Sequence, residues 1–153
     1  MKVKDLMTPE PRTCNPWTNL AEAGAVMLEA DCGILPVVDD KGKLAGVVTD
    51  RDMYIALATR NALPSQLSVS DVSQAQVFTC GPDDDVHKAL ATMKRHHVRR
   101  LPVEGFGGTV AGIVSMNDIL LSADRKGLGN AEIVETFQAI CEHHLPARHV
   151  TAA

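Results

Sequence analysis

The chain has 153 residues, 45% of them apolar and 3% aromatic, and a formal net charge of −4. That length suits one domain, with a core built from Val, Leu, Ile, Ala and Met. The acidic balance gives no basic field for nucleic acid, no apolar run approaches the ~20 residues of a membrane span, and the N-terminus lacks a signal-peptide stretch, so a cytoplasmic protein is expected.

Shifted by 66 residues, the chain lies on itself without a gap. Between Val3–Asp52 and Val69–Asp118, 16 of 50 positions are identical, where composition alone gives roughly 6%. A unit of this size cannot bury its apolar face alone, so the two copies are expected to pack as one body about a pseudo-twofold axis, with ligand grooves where they meet. The division is a first repeat over 1–66, a second over 67–126 and a tail over 127–153.

In chain order, each repeat opens with a short helical turn (Val3 to Met7, Val69 to Val72). An extended stretch follows, ending at Thr13-Cys14 or Thr79-Cys80. Polar residues after Pro16 or Pro82 then cap a helix. In the second repeat these are Asp83-Asp84-Asp85, favoured by the helix macrodipole and followed by no ligand set that would make them a metal site. Leu20, Ala23 and Val26-Met27 recur at helical spacing, as do Val86, Ala89-Leu90 and Met93.

Two strands come next, Ile34 to Val38 and Leu44 to Thr49, repeated as Leu101 to Val103 and Val110 to Ser115. Asp39-Asp40-Lys41-Gly42 joins the first pair. Gly105-Phe106-Gly107-Gly108 stands at the equivalent place and fits no phosphate-loop pattern, so it also reads as a turn. A second helix opens at Thr49 or Ser115, with Asp52 or Asp118 three residues on, the spacing of a capping box. The tail adds an amphipathic helix through Ile133, Phe137 and Ile140-Cys141. Arg148 to Ala153 is expected to fray.

Cys14 and Cys80 are repeat-equivalent and read as small core residues. Cys32 and Cys141 are isolated and no C-x-x-C occurs, so reduced thiols are expected. Cys141, His143, His144 and His149 lack zinc-ligand spacing, and no histidine stands at a recognisable spacing from an acid or nucleophile. Neither a metal nor an enzymatic activity is expected.

The doubled β-α-β-β-α order resembles a CBS-domain pair, the tandem module named after cystathionine β-synthase and also called a Bateman module. Four stretches carry the resemblance: Val3 to Pro9, Gly33 to Asp39, Gly46 to Asp52 and His97 to Val103. It covers residues 1 to about 125. It implies an α/β fold of two pseudo-symmetric repeats plus, here, an extra C-terminal helix. It also implies a regulatory module for adenosine-containing ligands (AMP, ADP, ATP, NAD or S-adenosylmethionine) with no catalytic cofactor. A free-standing pair of this kind acts on a partner protein in trans and commonly forms a homodimer. Apolar positions at Tyr54, Ile55, Leu57, Leu120 and Leu121 agree with that assembly. The rival reading is a structural oligomerisation module with empty grooves.

A carboxylate accepts from both hydroxyls of a ribose, which suits Asp52 and Asp118. Thr49 and Ser115 add hydroxyls beside them, and Gly46 and Gly112 allow close backbone approach. The family further implies a sugar-phosphate contact at Thr13 and Thr79, and base contacts around Ile34 and around Val98, Arg99 and Arg100. The bland reading stands beside each: the Thr/Ser–Asp pairs cap helices, Thr13 and Thr79 are ordinary strand residues, and the arginines bridge surface acids such as Glu104. Arg99 and Arg100 face Gly33 and Ile34 across the repeat, so unequal grooves are expected. Which groove the arginines serve is open at this level.

Overall fold

The computed structural model describes residues 1–122 and 129–142. The first half contains β1 (Thr8–Pro9), α1 (Leu20–Glu29), β2 (Ile34–Val38), β3 (Leu44–Thr49) and α2 (Asp50–Arg60). The second contains α3 (Val86–His96), β4 (Arg100–Glu104), β5 (Val110–Ser115) and α4 (Met116–Leu120), and the tail contributes α5 (Asn130–Cys141). The expected α-β-β-α order is present in both halves, but the extended entry stretch forms a strand only in the first, at Thr8–Pro9, and in the second leaves isolated bridges at Gln74 and Cys80. The tail beyond Glu142, with His143, His144, His149 and the expected fraying, lies outside the described residues.

Local chemistry places these elements. Asn19 caps α1 by accepting from the Glu22 N–H at 2.9 Å, and Asp85 caps α3 by accepting from that of His87 at 2.9 Å. The β2–β3 turn is closed by Asp39, whose Oδ1 accepts from the N–H groups of Lys41 and Lys43, while Gly42 takes φ +75°. At the equivalent place Gly107 and Gly108 take φ +71° and +85°, so the glycine-rich stretch is a hairpin turn. The hairpins pair in matching register, Ile34 opposite Thr49 and Arg100 opposite Ser115.

The entry segments are exchanged between the halves. β1 pairs antiparallel with β5 of the second half, and Gln74 bridges Val47 of the first. The turn at Val3–Asp5 docks on the second half, where the Val3 N–H donates to Asp84 O and the Lys4 N–H to Pro82 O. The turn at Val69–Asp71 docks on the first, with Val69 donating to Thr18 O and Ser70 to Pro16 O. The buried residues accordingly form two clusters, each completed by a fully buried valine from the other repeat's sequence: Val3 with Leu90, Met93 and Leu101, and Val69 with Leu20, Leu35 and Val48. Neither half closes its core from its own repeat alone.

Gly46 and Gly112 make this exchange sterically possible. A Cβ at Gly112 would lie 2.9 Å from the Thr8 carbonyl oxygen and 2.6 Å from Met7 Sδ, and one at Gly46 would lie 3.0 Å from the Gln74 carbonyl oxygen. The backbone they admit is that of the exchanged segment.

α5 packs along α3 and has no counterpart in the first half, where the Pro64–Gln66 turn packs against α1. It buries Ile133 and Thr136, whose hydroxyl donates to Glu132 O at 2.8 Å. Polar contacts with α3 flank this seam: His87 Nδ1 to Glu132 Oε2 at 2.6 Å and Lys94 Nζ to Glu135 Oε2 at 3.0 Å. Cys14 and Cys80 are buried in equivalent places, and desolvation pushes both thiols up to about 11.

Candidate functional site

The exchange creates two clefts, each walled by both halves. One, of about 380 Å³, is lined by Thr49, Asp52 and Ile34 from the first half and by Gln74, His97, Val98, Arg99 and Arg100 from the second. The other, of about 400 Å³, is lined by Ser115, Asp118 and Arg100 from the second and by Thr8, Asp31, Cys32, Gly33 and Ile34 from the first. Every residue named for one cleft maps onto one named for the other through the 66-residue shift. Both volumes fall in the ~300–1,000 Å³ range of small-molecule sites. Ile34 and Arg100, repeat-equivalent to each other, line both clefts and so sit between them.

In each cleft a capping box fixes the aspartate. The Thr49 N–H and hydroxyl both donate to Asp52 Oδ2, at 3.1 and 2.6 Å, and the Asp52 N–H returns to Thr49 Oγ1 at 3.1 Å. Ser115 and Asp118 repeat the pattern at 2.8, 2.6 and 3.3 Å. The cap uses one carboxylate oxygen and turns the other outward. Asp52 Oδ1 accepts from Gln74 Nε2 at 3.1 Å. Asp118 Oδ1 has no hydrogen-bond partner among the described residues, and Thr8 stands at the position that Gln74 takes in the other cleft. Capping and ligand contact are thus compatible roles for one carboxylate.

Of the residues singled out from sequence, the Asp52 cleft brings together Ile34, Thr49, Asp52, Val98, Arg99 and Arg100, and the Asp118 cleft brings together Ile34, Arg100, Ser115 and Asp118. Thr13 and Thr79 line neither. Thr13 is exposed beside the core residue Cys14, and the Thr79 hydroxyl donates to Glu104 Oε2 at 3.2 Å. The arginines do not bridge Glu104.

Sequence reasoning missed the wall supplied by the exchanged segments, Thr8 to Arg12 and Gln74 to Phe78. These stretches share no residue between the repeats, and each belongs to the cleft of the other half's aspartate, which is why only the assembled fold reveals them. Phe78 stacks on His96 with ring centroids 3.7 Å apart and planes at 14°, giving the Asp52 cleft a flat aromatic wall. Arg12 holds the equivalent position in the other cleft and lies 3.7 Å from Glu29. No group of three or more His, Cys, Asp or Glu among the described residues can hold a metal ion. No described helix is long and apolar enough to cross a membrane.

Two exchanged repeats with paired clefts at a pseudo-twofold axis define a tandem two-repeat module. The CBS domain model matches the chain twice, over residues 3–59 and 69–124, and the chain belongs to that family. It is 34% identical over 139 residues to the uncharacterized protein YlbB of Bacillus subtilis, covering 88% of this chain and 92% of that protein. It is also 31% identical over 115 residues to inosine-5′-monophosphate dehydrogenase of Mycobacterium leprae, where the match covers 74% of this chain and 21% of the enzyme. Among solved structures, the CBS-domain pair of protein MJ0100, in complex with 5′-methylthioadenosine and S-adenosylmethionine, superposes with a TM-score of 0.74 at 27% identity. That match covers 83% of this chain and 98% of that one.

Proposed function

We propose that this protein is a regulatory sensor that binds adenosine-containing ligands in its two clefts and acts on a partner protein in trans. AMP, ADP and ATP are the first ligands to test, with NAD and S-adenosylmethionine beside them. The observation that carries the reading is the pair of aspartates held by identical caps through one carboxylate oxygen, each lining a cleft sized for a small molecule. A ribose diol donates two hydrogen bonds to such a carboxylate. The CBS pair of MJ0100, bound to two adenosine derivatives, supports the same class of ligand.

Calorimetric titration with AMP, ATP, 5′-methylthioadenosine and S-adenosylmethionine tests the proposal. Asp52→Asn and Asp118→Asn keep the caps' hydrogen-bonding shape but remove the charge, so each should weaken binding in its own cleft by about tenfold or more. A ligand at 100 times its Kd should also raise stability by about 2.7 kcal/mol. Absence of any response across the series would leave an oligomerisation module with unused clefts.

A homodimer is part of this reading. Tyr54 and Ile55 on α2 and Leu120 and Leu121 at α4 are exposed at 72%, 46%, 51% and 86%, whereas Leu57 turns inward to the first core. Large apolar side chains left at solvent at both of these helices support an association surface. Light scattering should give the mass of two chains, and a monomer at high micromolar concentration would refute the assembly.

A further inference from the structure

We propose that the two clefts take different classes of ligand: the Asp52 cleft a nucleoside carrying phosphate, the Asp118 cleft an adenosine derivative without phosphate. This inference rests on the adenosine reading of both clefts and assigns each its chemistry. The Asp52 cleft holds Arg51, Arg99 and Arg100 against the carboxylates of Asp50 and Asp52. The guanidinium groups of these arginines have no ion-pair or hydrogen-bond partner among the described residues. Its carboxylates accept from other donors and not from these guanidinium groups. Asp50 Oδ1 accepts from the Arg51 N–H at 2.7 Å, and Asp52 is shared between Thr49 and Gln74. Unpaired guanidinium forks beside committed acids are free to grip phosphate oxygens.

The Asp118 cleft reverses this balance at equivalent positions. Glu10 replaces Gln76, Asp31 replaces His97, Asn117 replaces Arg51 and Gly33 replaces Arg99. Asp31 and His97 occupy the same left-handed conformation, at φ 48° and 53°, so the backbone presents a carboxylate in one cleft where it presents an imidazole in the other. Arg12, the basic residue gained here, lies 3.7 Å from Glu29. A side chain at position 33 would first have to turn the Asp50 carboxylate aside, since a Cβ there would lie 2.8 Å from Asp50 Oδ2. A phosphate in this cleft would meet three carboxylates, whereas a neutral or cationic adenosine derivative suits them and finds Asp118 Oδ1 open.

Arg100 lines both clefts. A phosphate in the Asp52 cleft that takes its guanidinium leaves the other cleft with Arg12 as its remaining lining arginine, which deepens the division between the two.

The test titrates wild type, the double variant Arg51→Ala with Arg99→Ala, and Asp118→Asn with AMP, ATP, 5′-methylthioadenosine and S-adenosylmethionine, at low and at physiological salt. All three substituted side chains reach solvent or the cleft rather than the core, so the fold is kept and is checked by its thermal transition. AMP and ATP should lose about ten- to a hundredfold in affinity in the double variant while the phosphate-free probes keep theirs. Asp118→Asn should show the opposite pattern. Affinity for ATP should fall with salt more steeply than affinity for 5′-methylthioadenosine. AMP filling both clefts equally, or AMP binding that depends on Asp118 and not on the arginines, overturns the allocation while the adenosine reading stands. If none of the four probes binds, that reading falls and the allocation with it.

Discussion

The Asp52 and Asp118 clefts are built by the same backbone, yet the aspartate is identical while the charged residues around it are reassigned. Thr49 and Ser115 differ by a methyl group and make the same cap, whereas Arg51, Arg99, His97 and Gln76 face Asn117, Gly33, Asp31 and Glu10. Positions that hold the helix start and the aspartate cannot vary without disturbing the fold. The lining positions beside them carry different charges in the two clefts. The same contrast holds for the entry turns. Lys2 and Lys4 both reach Asp83 at 2.8 Å, whereas the second turn has Ser68 and Ser70 at those places and Trp17 opposite them.

The largest expected effect breaks the contrast at the exchanged strands. Gly112→Ala drives a Cβ against backbone as well as Met7, and Gly46→Ala only tightens a contact with Gln74 O. Overpacking of this kind costs about 1–3 kcal/mol, with Gly112→Ala at the upper end and Gly46→Ala at the lower. Denaturant titration of both variants measures the difference. Equal losses would show that β1 on β5 is held no more closely than Gln74 on Val47.

A second pair of variants sharpens the symmetry of the exchange. Val3→Ala and Val69→Ala each empty two methyl groups from the core of the other half, at a cost of about 2 kcal/mol apiece. Unchanged stability in Val3→Ala would therefore contradict its docking on the second core.

The smallest effect distinguishes the entry turns by pH. Hydrogen bonds from Lys2 and Lys4, with their charges, hold the Asp83 carboxyl down to about 2. Its folded value lies below its unfolded one, so its contribution is present above the ordinary carboxylate range and is lost as pH falls through about 2. Because the group is exposed, the contribution is small. Asp83→Asn should flatten the decline of the melting temperature between pH 4 and pH 2 without altering it at neutral pH. A parallel decline in variant and wild type would remove Asp83 as its source.

Much of the plan is legible in residues alone. The 66-residue shift reveals two copies, period-3.6 and strand patterns reveal their elements, and the Thr49–Asp52 and Ser115–Asp118 spacings reveal the caps, because each depends on residues within a few positions of one another. Gly46 and Gly112 were expected to let the backbone approach a ligand, but they line neither cleft and instead admit Gln74 and Thr8 from the opposite repeat. The same exchange explains why Thr8, Glu10, Gln74 and Phe78 escaped notice as cleft walls. It also explains why Thr13 and Thr79, next to core cysteines, lie outside both clefts. The sequence by itself determined that Arg99 and Arg100 have no basic counterparts in the first repeat. Only the tertiary structure decided that Arg99 serves the Asp52 cleft and Arg100 stands between the two. Which chain segment faces which is set by burial of Val3 and Val69 in foreign cores, a long-range choice that no local pattern encodes.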